Sequence, residues 1–448
     1  MGKYRAYESY KDSGVEWLGE IPEHWESLKV KYSADILRGK FTHRPRNDPN
    51  FYDGQHPFIQ TGDVANANKF ITEYTQTLND NGYEVSKEFP AGTLVMTIAA
   101  NIGDIAILDF NACFPDSIVG FLPSKQTEIF FLYYLFTSMK QQLLTTAVLN
   151  TQLNLNIERI SNQFTAIPPL EEQKTIARFL DYKTKQIDAL IAKKEALLEK
   201  LDEKRTALIS HAVTKGLDAT VPMKDSGIEW LGDIPEHWLM TRLRFLVSKI
   251  EQGWSPSCHN QPAEANEWGV LKAGCVNGET FDENENKTLP DELEPKYQYE
   301  VRHGDILMSR ANTKELLGSA AIAINPCRKL ILCDKLYRLS AKENVDRKYL
   351  IRLLRSFIAR FQYERDATGS SGSMQNIGQD TIKDLILPFP SLDKQKEIAE
   401  YLDRKTAEID GQKEKIQQAI ALLKEYRTAL ITNAVTGKID VRQVLDSP

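Results

Sequence analysis

Several features that would point directly to a compartment are missing from this sequence. No apolar run approaches the roughly 18 residues that a membrane-spanning helix needs. The opening stretch, MGKYRAYESYKDSG, has no apolar core and does not resemble a secretory signal peptide. The five cysteines stand singly, without a C-x-x-C pair, which favours free buried thiols over disulfides or a zinc site. We therefore expect a cytoplasmic protein without a membrane partner.

Motifs of common enzymes are missing as well. There is no G-x-x-x-x-G-K-[ST] phosphate loop and no Asn-Pro-Pro-aromatic motif of an amino-methyltransferase. The stretch 290–296 resembles a PD…ExK nuclease motif, but its spacing is far too tight and an exposed loop explains it better. His24 and His237 each stand beside a tryptophan, where packing is the better explanation. We therefore predict a chain without catalytic residues, metal or cofactor of its own.

The sequence also has no excess of basic residues. The 448 residues include 56 Lys and Arg but 62 Asp and Glu, a net charge of −6. That balance counts against a simple nucleic-acid binder, although such contacts are local and a partner can add positive charge. The length suggests two to four domains, and 42% hydrophobic with 26% charged residues is ordinary for folded proteins.

The chain contains an internal sequence duplication. KDSGVEWLGEIPEHW at 11–25 returns as KDSGIEWLGDIPEHW at 224–238, with 13 of 15 positions identical and an offset of 213 residues. Later, RTALISHAVT at 205–214 returns as RTALITNAVT at 427–436, with an offset of 222. The ends of each unit agree almost letter for letter, whereas the middles agree only loosely and differ by nine residues in length. This pattern indicates that the ends do one job twice and the middles do different jobs.

Two long helices are predicted, each after a P-x-L-x-x-Q motif. Apolar residues recur at steps of three, four or seven, which is heptad spacing. About 40 residues correspond to roughly 60 Å of helix. Charges on 171–205 are nearly balanced, which favours a spacer or a partner-docking surface over DNA contact. The two apolar stripes should bury each other as an antiparallel coiled coil, with a seam of Ile176, Leu180, Ile187, Leu197, Leu201, Leu208, Ile398, Leu402, Ile409, Leu423 and Leu430.

The two middle regions, 27–165 and 240–386, carry short strand-like runs and one amphipathic helix each, which predicts α+β domains. They align loosely at four positions: Gly39 with Gly253, Gly62 with Gly274, Gly92 with Gly304 and Asp116 with Asp334. Their loops differ in chemistry, and residues of the types that read bases or hold phosphates lie there, although a solvated loop explains any single one as well. The candidates are Lys40, His43, Arg44, Arg46, Gln60, Thr97, Asn101, Trp254, Ser255, Lys272, Ser309, Arg310, Asn312 and Lys314.

Taken together, the chain resembles the specificity subunit, S or HsdS, of type I restriction–modification systems. The resemblance is carried by the doubled [ED]-I-P-E-H-W opening, the G-[DT]-[IL]-[LV]-M segment and the doubled P-x-L-x-x-Q entry to a long helix, and it covers nearly all 448 residues. It implies two target recognition domains, at 1–168 and 215–389, each reading half of a split, asymmetric DNA site. It also implies two spacer helices, at 169–214 and 390–448, and a pseudo-two-fold repeat.

The resemblance further implies partners. Two methyltransferase (M) subunits would dock on the repeated ends and bind S-adenosylmethionine, and restriction (R) subunits would join with ATP and Mg²⁺. This chain would supply DNA specificity without catalysis. A coiled-coil scaffold that binds only proteins at its globular ends is the alternative, and a fused enzyme is disfavoured by the missing motifs. The half-site bases and the spacer length do not follow from the sequence.

Overall fold

A computed structural model describes residues 4–99, 102–145, 148–149, 153–154, 156–369 and 374–444. The chain divides into two compact units: unit 1 comprises residues 1–195 and 417–448, and unit 2 comprises residues 196–416. Both borders fall inside a long helix, so each unit contains a globular domain and part of each long helix. The four-part division expected from the sequence, at 168, 214 and 389, stays a prediction.

Unit 1 is built on a five-stranded sheet. Its strands are antiparallel except for the edge strand Phe70–Ile71, which runs parallel to its neighbour. Of the inner strands, Leu94–Thr97 is buried at every residue, and the other two are buried over most of their length and are mainly apolar, because both faces of the sheet are covered. In sheet order the strands are Ala34–Arg38, Ile118–Pro123, Leu94–Thr97, Ile105–Leu108 and Phe70–Ile71.

Shorter elements complete unit 1. The paired strands are Tyr10–Asp12 with Glu20–Pro22, Glu26–Lys29 with Phe164–Ile167, Tyr52–Pro57 with Thr77–Leu78, Glu88–Phe89 with Ala112–Cys113, and Val148–Leu149 with Leu153–Asn154. The α-helices are Thr61–Asn66, Asp80–Glu84, Ile129–Thr145 and Ile157–Ser161, and the 3-10 turns are Val30–Tyr32 and Pro49–Phe51.

Unit 2 repeats this plan with one strand fewer in its main sheet, ordered Val247–Gln252, Leu336–Ala341, Ile306–Ser309 and Ala320–Ile322. A second sheet is ordered Asn286–Thr288, Trp268–Leu271 and Lys329–Ile331. The paired strands are Met223–Asp225 with Asp233–Pro235, Leu239–Arg242 with Ile386–Phe389, and Ala311–Asn312 with Gln375–Asn376. The α-helices are Arg347–Arg355, Phe357–Asp366 and Gln379–Asp384, and the 3-10 turns are Leu243–Phe245, Ala273–Val276 and Tyr297–Tyr299.

The long helices span Leu170–Lys215 and Leu392–Val435. Ion pairs show their relative direction inside each unit. In unit 1, Asp188 pairs with Arg427 and Glu195 with Lys424. In unit 2, Asp202 pairs with Lys413 and Arg205 with Asp410. Residue numbers rise on one helix as they fall on the other, so the helices are antiparallel in both units. The mixed α+β repeat with antiparallel long helices that the sequence predicts is therefore confirmed.

The buried face of each long helix follows an unbroken heptad pattern with steps of four and three. Most of the expected seam residues lie on it, but Leu197 is 46% exposed. Its neighbour Leu198 occupies the heptad step instead, about 100° further round the helix. The buried or half-buried positions are Leu180, Thr184, Ile187, Ile191, Lys194, Leu198, Leu201, Arg205, Leu208 and Ala212 in the first helix, and Leu402, Thr406, Ile409, Lys413, Ile416, Ile420, Leu423, Arg427, Leu430 and Ala434 in the second.

Two of the expected seam residues lie at the start of the second helix and have a further role. Ile398 and Leu402 are fully buried in the core of unit 2, where they share a cluster with Trp238 and Tyr349. Ile176 is also fully buried, near the start of the first helix. The first turns of the second helix are therefore part of the unit 2 core.

The doubled opening motif packs against the carboxyl end of a long helix in each unit. In unit 2, a Cβ on Gly216 would lie 3.3 Å from the Trp238 ring, and in unit 1 a Cβ on Gly437 would lie 3.3 Å from the Trp25 ring. Both glycines have positive φ, 77° and 71°, as expected where a helix ends in the left-handed conformation. The unit 1 contact joins the first residues to the last described ones, and the Asp440 N–H donates to the Arg5 carbonyl at 2.8 Å.

The glutamine of the P-x-L-x-x-Q motif is a buried clamp in both units. Gln173 Oε1 accepts from the Glu128 N–H at 2.8 Å, and Nε2 donates to the carbonyls of Gln126 and Pro168. Gln395 does the same with the Asp346 N–H at 2.8 Å and the carbonyls of Asn344 and Pro390. The side chain thus joins the start of the long helix to the turn that begins the domain's own helix.

In the described ranges, no helix is long and apolar enough to cross a membrane. Within those same ranges, no three His, Cys, Asp or Glu side chains are grouped so that they could hold a metal ion.

Candidate nucleic-acid interface

In each unit the candidate loop begins at a glycine, at the point where the chain leaves the main sheet. A Cβ on Gly39 would overlap the Pro115 carbonyl oxygen, and one on Gly253 would overlap the Leu332 carbonyl oxygen. Only glycine permits this approach, so each loop starts in contact with the segment that carries the aligned aspartate, Asp116 or Asp334. The loose alignment of the two middles therefore reflects a real backbone constraint.

In unit 1, Asp116 organises the basic loop. Arg46 forms an ion pair with Asp116 Oδ1, and Arg44 Nη2 lies 3.5 Å from Oδ2. Arg38 Nε donates to the Asp116 carbonyl at 2.7 Å. All of these charged side chains keep solvent access, with Asp116 at 35% exposure. The loop thus presents two guanidinium groups held at the end of a rigid sheet.

The other unit 1 candidates lie close to this cluster in sequence but make separate contacts. The His43 ring stacks on Phe51 at 3.9 Å between centroids, and its Nε2 lies 3.1 Å from Asp48. Lys40 is exposed. Gln60 Nε2 donates to Gln76 at 2.8 Å at the start of the helix Thr61–Asn66.

In unit 2, Asp334 has the equivalent central position with different partners. Ser255 Oγ donates to the Asp334 carboxylate, and Arg310 Nη1 donates to the Asp334 carbonyl at 3.2 Å. The Arg310 guanidinium also lies over the Tyr337 ring, at 5.9 Å. Burial raises the pKa of Tyr337 against the opposing effect of Arg310, so its hydroxyl stays protonated and donates to the Ile377 carbonyl. One arginine and a serine thus replace the two arginines of unit 1.

The side chains of the remaining unit 2 candidates contact residues other than Asp334. Asn312 Nδ2 donates to Asn277 at 2.8 Å. Lys272 Nζ lies 3.9 Å from the Glu285 carboxylate, and Lys314 Nζ lies 3.4 Å from the Glu364 carboxylate. Lys296 Nζ lies 4.4 Å from the centroid of the Trp254 ring. The structure therefore brings Ser255 and Arg310 together but does not gather the whole predicted set into one site.

Two candidates lie inside the protein. Thr97 and Ser309 are fully buried at aligned positions. Thr97 Oγ1 accepts from the Asp104 N–H at 3.1 Å, and Ser309 Oγ donates to the Leu316 carbonyl at 2.9 Å. Their hydroxyls close a turn, which explains the residue type without a ligand, and their position does not support direct DNA contact. Asn101 lies outside the described residues.

Asp116 and Asp334 are missing from the predicted residue set although they organise both loops. Acidic residues do not suggest a phosphate-binding surface, so a search by residue type passes over them. Their alignment between the two middles is the signal that could have found them, because few positions there match.

The doubled architecture corresponds to two matches with one protein family. The family model described as "Type I restriction modification DNA specificity domain" matches twice, at residues 22–200 and 247–421. The chain belongs to this family.

Curated relatives match between half and nearly all of this chain at low identity. The chain is 23% identical over 451 residues to the EcoKI specificity subunit of Escherichia coli K12, covering 96% of this chain and 92% of that one. It is 27% identical over 443 residues to the putative MjaX specificity subunit of Methanocaldococcus jannaschii, covering 95% and 96%. The EcoEI specificity subunit of Escherichia coli is 28% identical over 225 residues, which are 50% of this chain and 38% of that one.

Solved structures share the fold. A chain from a study of complex assembly and conformational transition of the type I R-M system superposes with a TM-score of 0.70 at 16% identity, covering 93% of this chain and 98% of that one. The HsdS subunit from Thermoanaerobacter tengcongensis gives a TM-score of 0.53 at 17% identity, covering 94% and 98%.

Proposed function

We propose that this chain is the DNA-specificity subunit of a cytoplasmic type I restriction–modification complex, and that each unit reads one half of a split, asymmetric DNA site. One observation supports this most strongly. The two units share one frame, with the same order of four strands in the main sheet, the same glutamine clamp and the same tryptophan-to-helix contact, yet they present different side chains around Asp116 and Asp334. A shared frame with different loops is what two different half-sites require.

The loop chemistry fits base reading. Arginine pairs with guanine edges, and serine, asparagine and glutamine bond other base edges, while lysine and arginine hold phosphates. Readout needs side chains held in fixed positions, which the aspartates provide for Arg44, Arg46 and Ser255. The net charge of −6 is compatible with this function if partner subunits clamp the backbone.

The antiparallel helices suit a spacer between half-sites and a docking surface for two M subunits. The proposal leaves catalysis to the partners: M subunits would bind S-adenosylmethionine, and R subunits would use ATP and Mg²⁺. The support is the family membership together with repeated ends that offer one surface twice.

The test is selection from random duplexes with the complex of this chain and its M subunits. A split consensus with one spacer length supports the proposal, and a selection without any consensus refutes it. The Arg46→Ala change should weaken base selectivity in one half-site only, and Arg310→Ala should weaken it in the other half-site only. Arg302→Ala serves as the control, because Arg302 is 74% exposed and pairs with its near neighbour Glu300. Replacing 240–386 with the second domain of another family member should change one half-site and leave the other intact.

A further inference from the structure

The long helices present the same four polar side chains to the globular domain of each unit. We call each set the seat: Asp181, Thr184, Asp188 and Arg427 in unit 1, and Asp403, Thr406, Asp410 and Arg205 in unit 2. The two sets correspond under the 222-residue offset of the helices. In both, the arginine pairs with an aspartate of the other helix, at 2.8 Å in unit 1 and 3.3 Å in unit 2.

The domains engage the seat from aligned positions. The glutamine clamps hold Glu128 and Asp346 in the same way, which aligns the domain helices that follow them. Six residues further along, Tyr134 lies in one helix and Arg352 in the other. The Tyr134 hydroxyl lies 2.6 Å from Asp181 and 3.2 Å from Thr184. Arg352 Nη2 lies 3.2 Å from Asp403 and 3.3 Å from Thr406.

A second contact has opposite charge in the two units. In unit 1, Lys69 Nζ lies 2.5 Å from Asp181 and 4.2 Å from the Phe130 ring centroid. In unit 2, Glu279 pairs with Arg205 and, at 2.9 Å, with Arg352. Lys69 and Glu279 lie shortly after the aligned glycines Gly62 and Gly274, which are in the α-helix Thr61–Asn66 and the 3-10 turn Ala273–Val276. In this second contact the seat's aspartate pairs with a lysine of the unit 1 domain, and the seat's arginine pairs with a glutamate of the unit 2 domain.

The surroundings strengthen the unit 2 contact. Arg205 and Arg352 are only 14% and 15% exposed, so their pairing with Glu279 is partly shielded from water. Burial works against ionisation of Asp403, yet Lys348 and Arg352 lower its pKa. These side chains form a continuous network from Asp410 through Arg205, Glu279 and Arg352 to Asp403.

We infer that the seat is a mount, a common surface that holds recognition domains of unlike sequence in one orientation. Lys69 and Glu279 are then positioning residues that set spacer fidelity, the preference of the complex for one spacer length between the half-sites. A mount with both an acid and a base accepts either charge from the domain, so the helices need not change when a domain does. The inference rests on the proposed function, because spacer fidelity has meaning only for a split site.

The experiment uses the complex of the full chain with its M subunits. Duplexes carry the two half-sites found by selection, with the spacer changed by one base pair in either direction. The Glu279→Gln and Lys69→Met variants remove one charge each while keeping side-chain length. Both should raise binding to the altered spacers, relative to the preferred one, by about tenfold, the factor equivalent to about 1.4 kcal/mol. The half-site letters should not change.

Two controls separate positioning from stability. Glu279→Asp keeps the carboxylate and should restore most of the selectivity. Glu408→Gln removes an exposed helix ion pair, 2.8 Å from Lys405, and should leave the spacer preference unchanged. Thermal melting of each variant reports on folding.

The outcomes distinguish a positioning role, a structural role and a failure of the proposed function. An unchanged spacer ratio in both variants overturns the inference, and so does an equal loss of binding at all spacers with a lowered melting temperature, which would mean a purely structural role. If the wild-type complex selects no split consensus, the proposed function itself fails. A split consensus in the wild type with broadened spacers in the variants supports both.

Discussion

Replacing Gln395 with methionine should destabilise unit 2 by about 3 kcal/mol. The side chain is fully buried, and methionine keeps its length but offers no donor and only a weak acceptor. The change leaves the Asp346 N–H and the carbonyls of Asn344 and Pro390 without the partner seen here. Each lost hydrogen bond costs about 1 kcal/mol net, and more if the group stays unsatisfied.

The assay is thermal unfolding of the purified chain. For the roughly 220 residues of unit 2, 1 kcal/mol corresponds to about 2–4 °C, so the transition should fall by about 6–12 °C. Gln173→Met tests the same clamp in unit 1 and should cost a similar amount, because its three bonds are nearly the same. Gln412→Met, at an exposed position of the second long helix, is the matched control. Shifts below about 2 °C in both clamp variants would refute the reasoning.

Three further outcomes are expected. Gly253→Ala should cost several kcal/mol in urea unfolding because its Cβ overlaps the Leu332 carbonyl, whereas Gly411→Ala, with open space in mid-helix, should stabilise by about 0.5–1 kcal/mol; similar values for the two would contradict this. Burial opposes ionisation of Glu279, yet Arg205 and Arg352 hold its pKa below the usual 4.5. The carboxylate therefore contributes to folding stability above that pH, and this contribution is lost in acid. Glu279→Gln should therefore lose less stability than wild type between pH 7 and pH 3, and equal losses would argue against the ion pairs. Glu172→Ala removes the acceptor of Tyr7 and Trp25, at 2.7 and 3.1 Å, and should make residues 4–25 more sensitive to protease; unchanged cleavage would show that these hydrogen bonds do not hold that segment in place.

Much of the fold follows from the repeat. Matching the two copies predicts two mixed domains and two paired helices, because a motif repeated letter for letter needs the same surroundings twice. The heptad phase was harder to predict. Leu197 and Leu198 are adjacent, and the true seam includes polar residues such as Thr184 and Arg205, so apolar spacing alone does not separate the two leucines.

The candidate interface is only partly predictable, for physical reasons. Residue type identifies Arg44 and Arg46 but does not distinguish an exposed hydroxyl from one that closes a buried turn, as in Thr97 and Ser309. The contacts of Asp116 depend on where Gly39 directs its loop in space. Such long-range contacts leave no periodic signal in the chain.

The docking of Trp25 on Gly437 bears on how the protein folds during synthesis. Unit 2 is one continuous segment, 196–416, and all of its contacts can form before residue 417 leaves the ribosome. Unit 1 is discontinuous, so its globular domain is made early but must wait for 417–437 to complete the helix pair and cover Trp25. Contacts so distant in sequence form slowly and leave apolar surface open meanwhile. The nascent domain of unit 1 is therefore the segment for which we expect the greatest need of chaperone protection, although it is translated before unit 2.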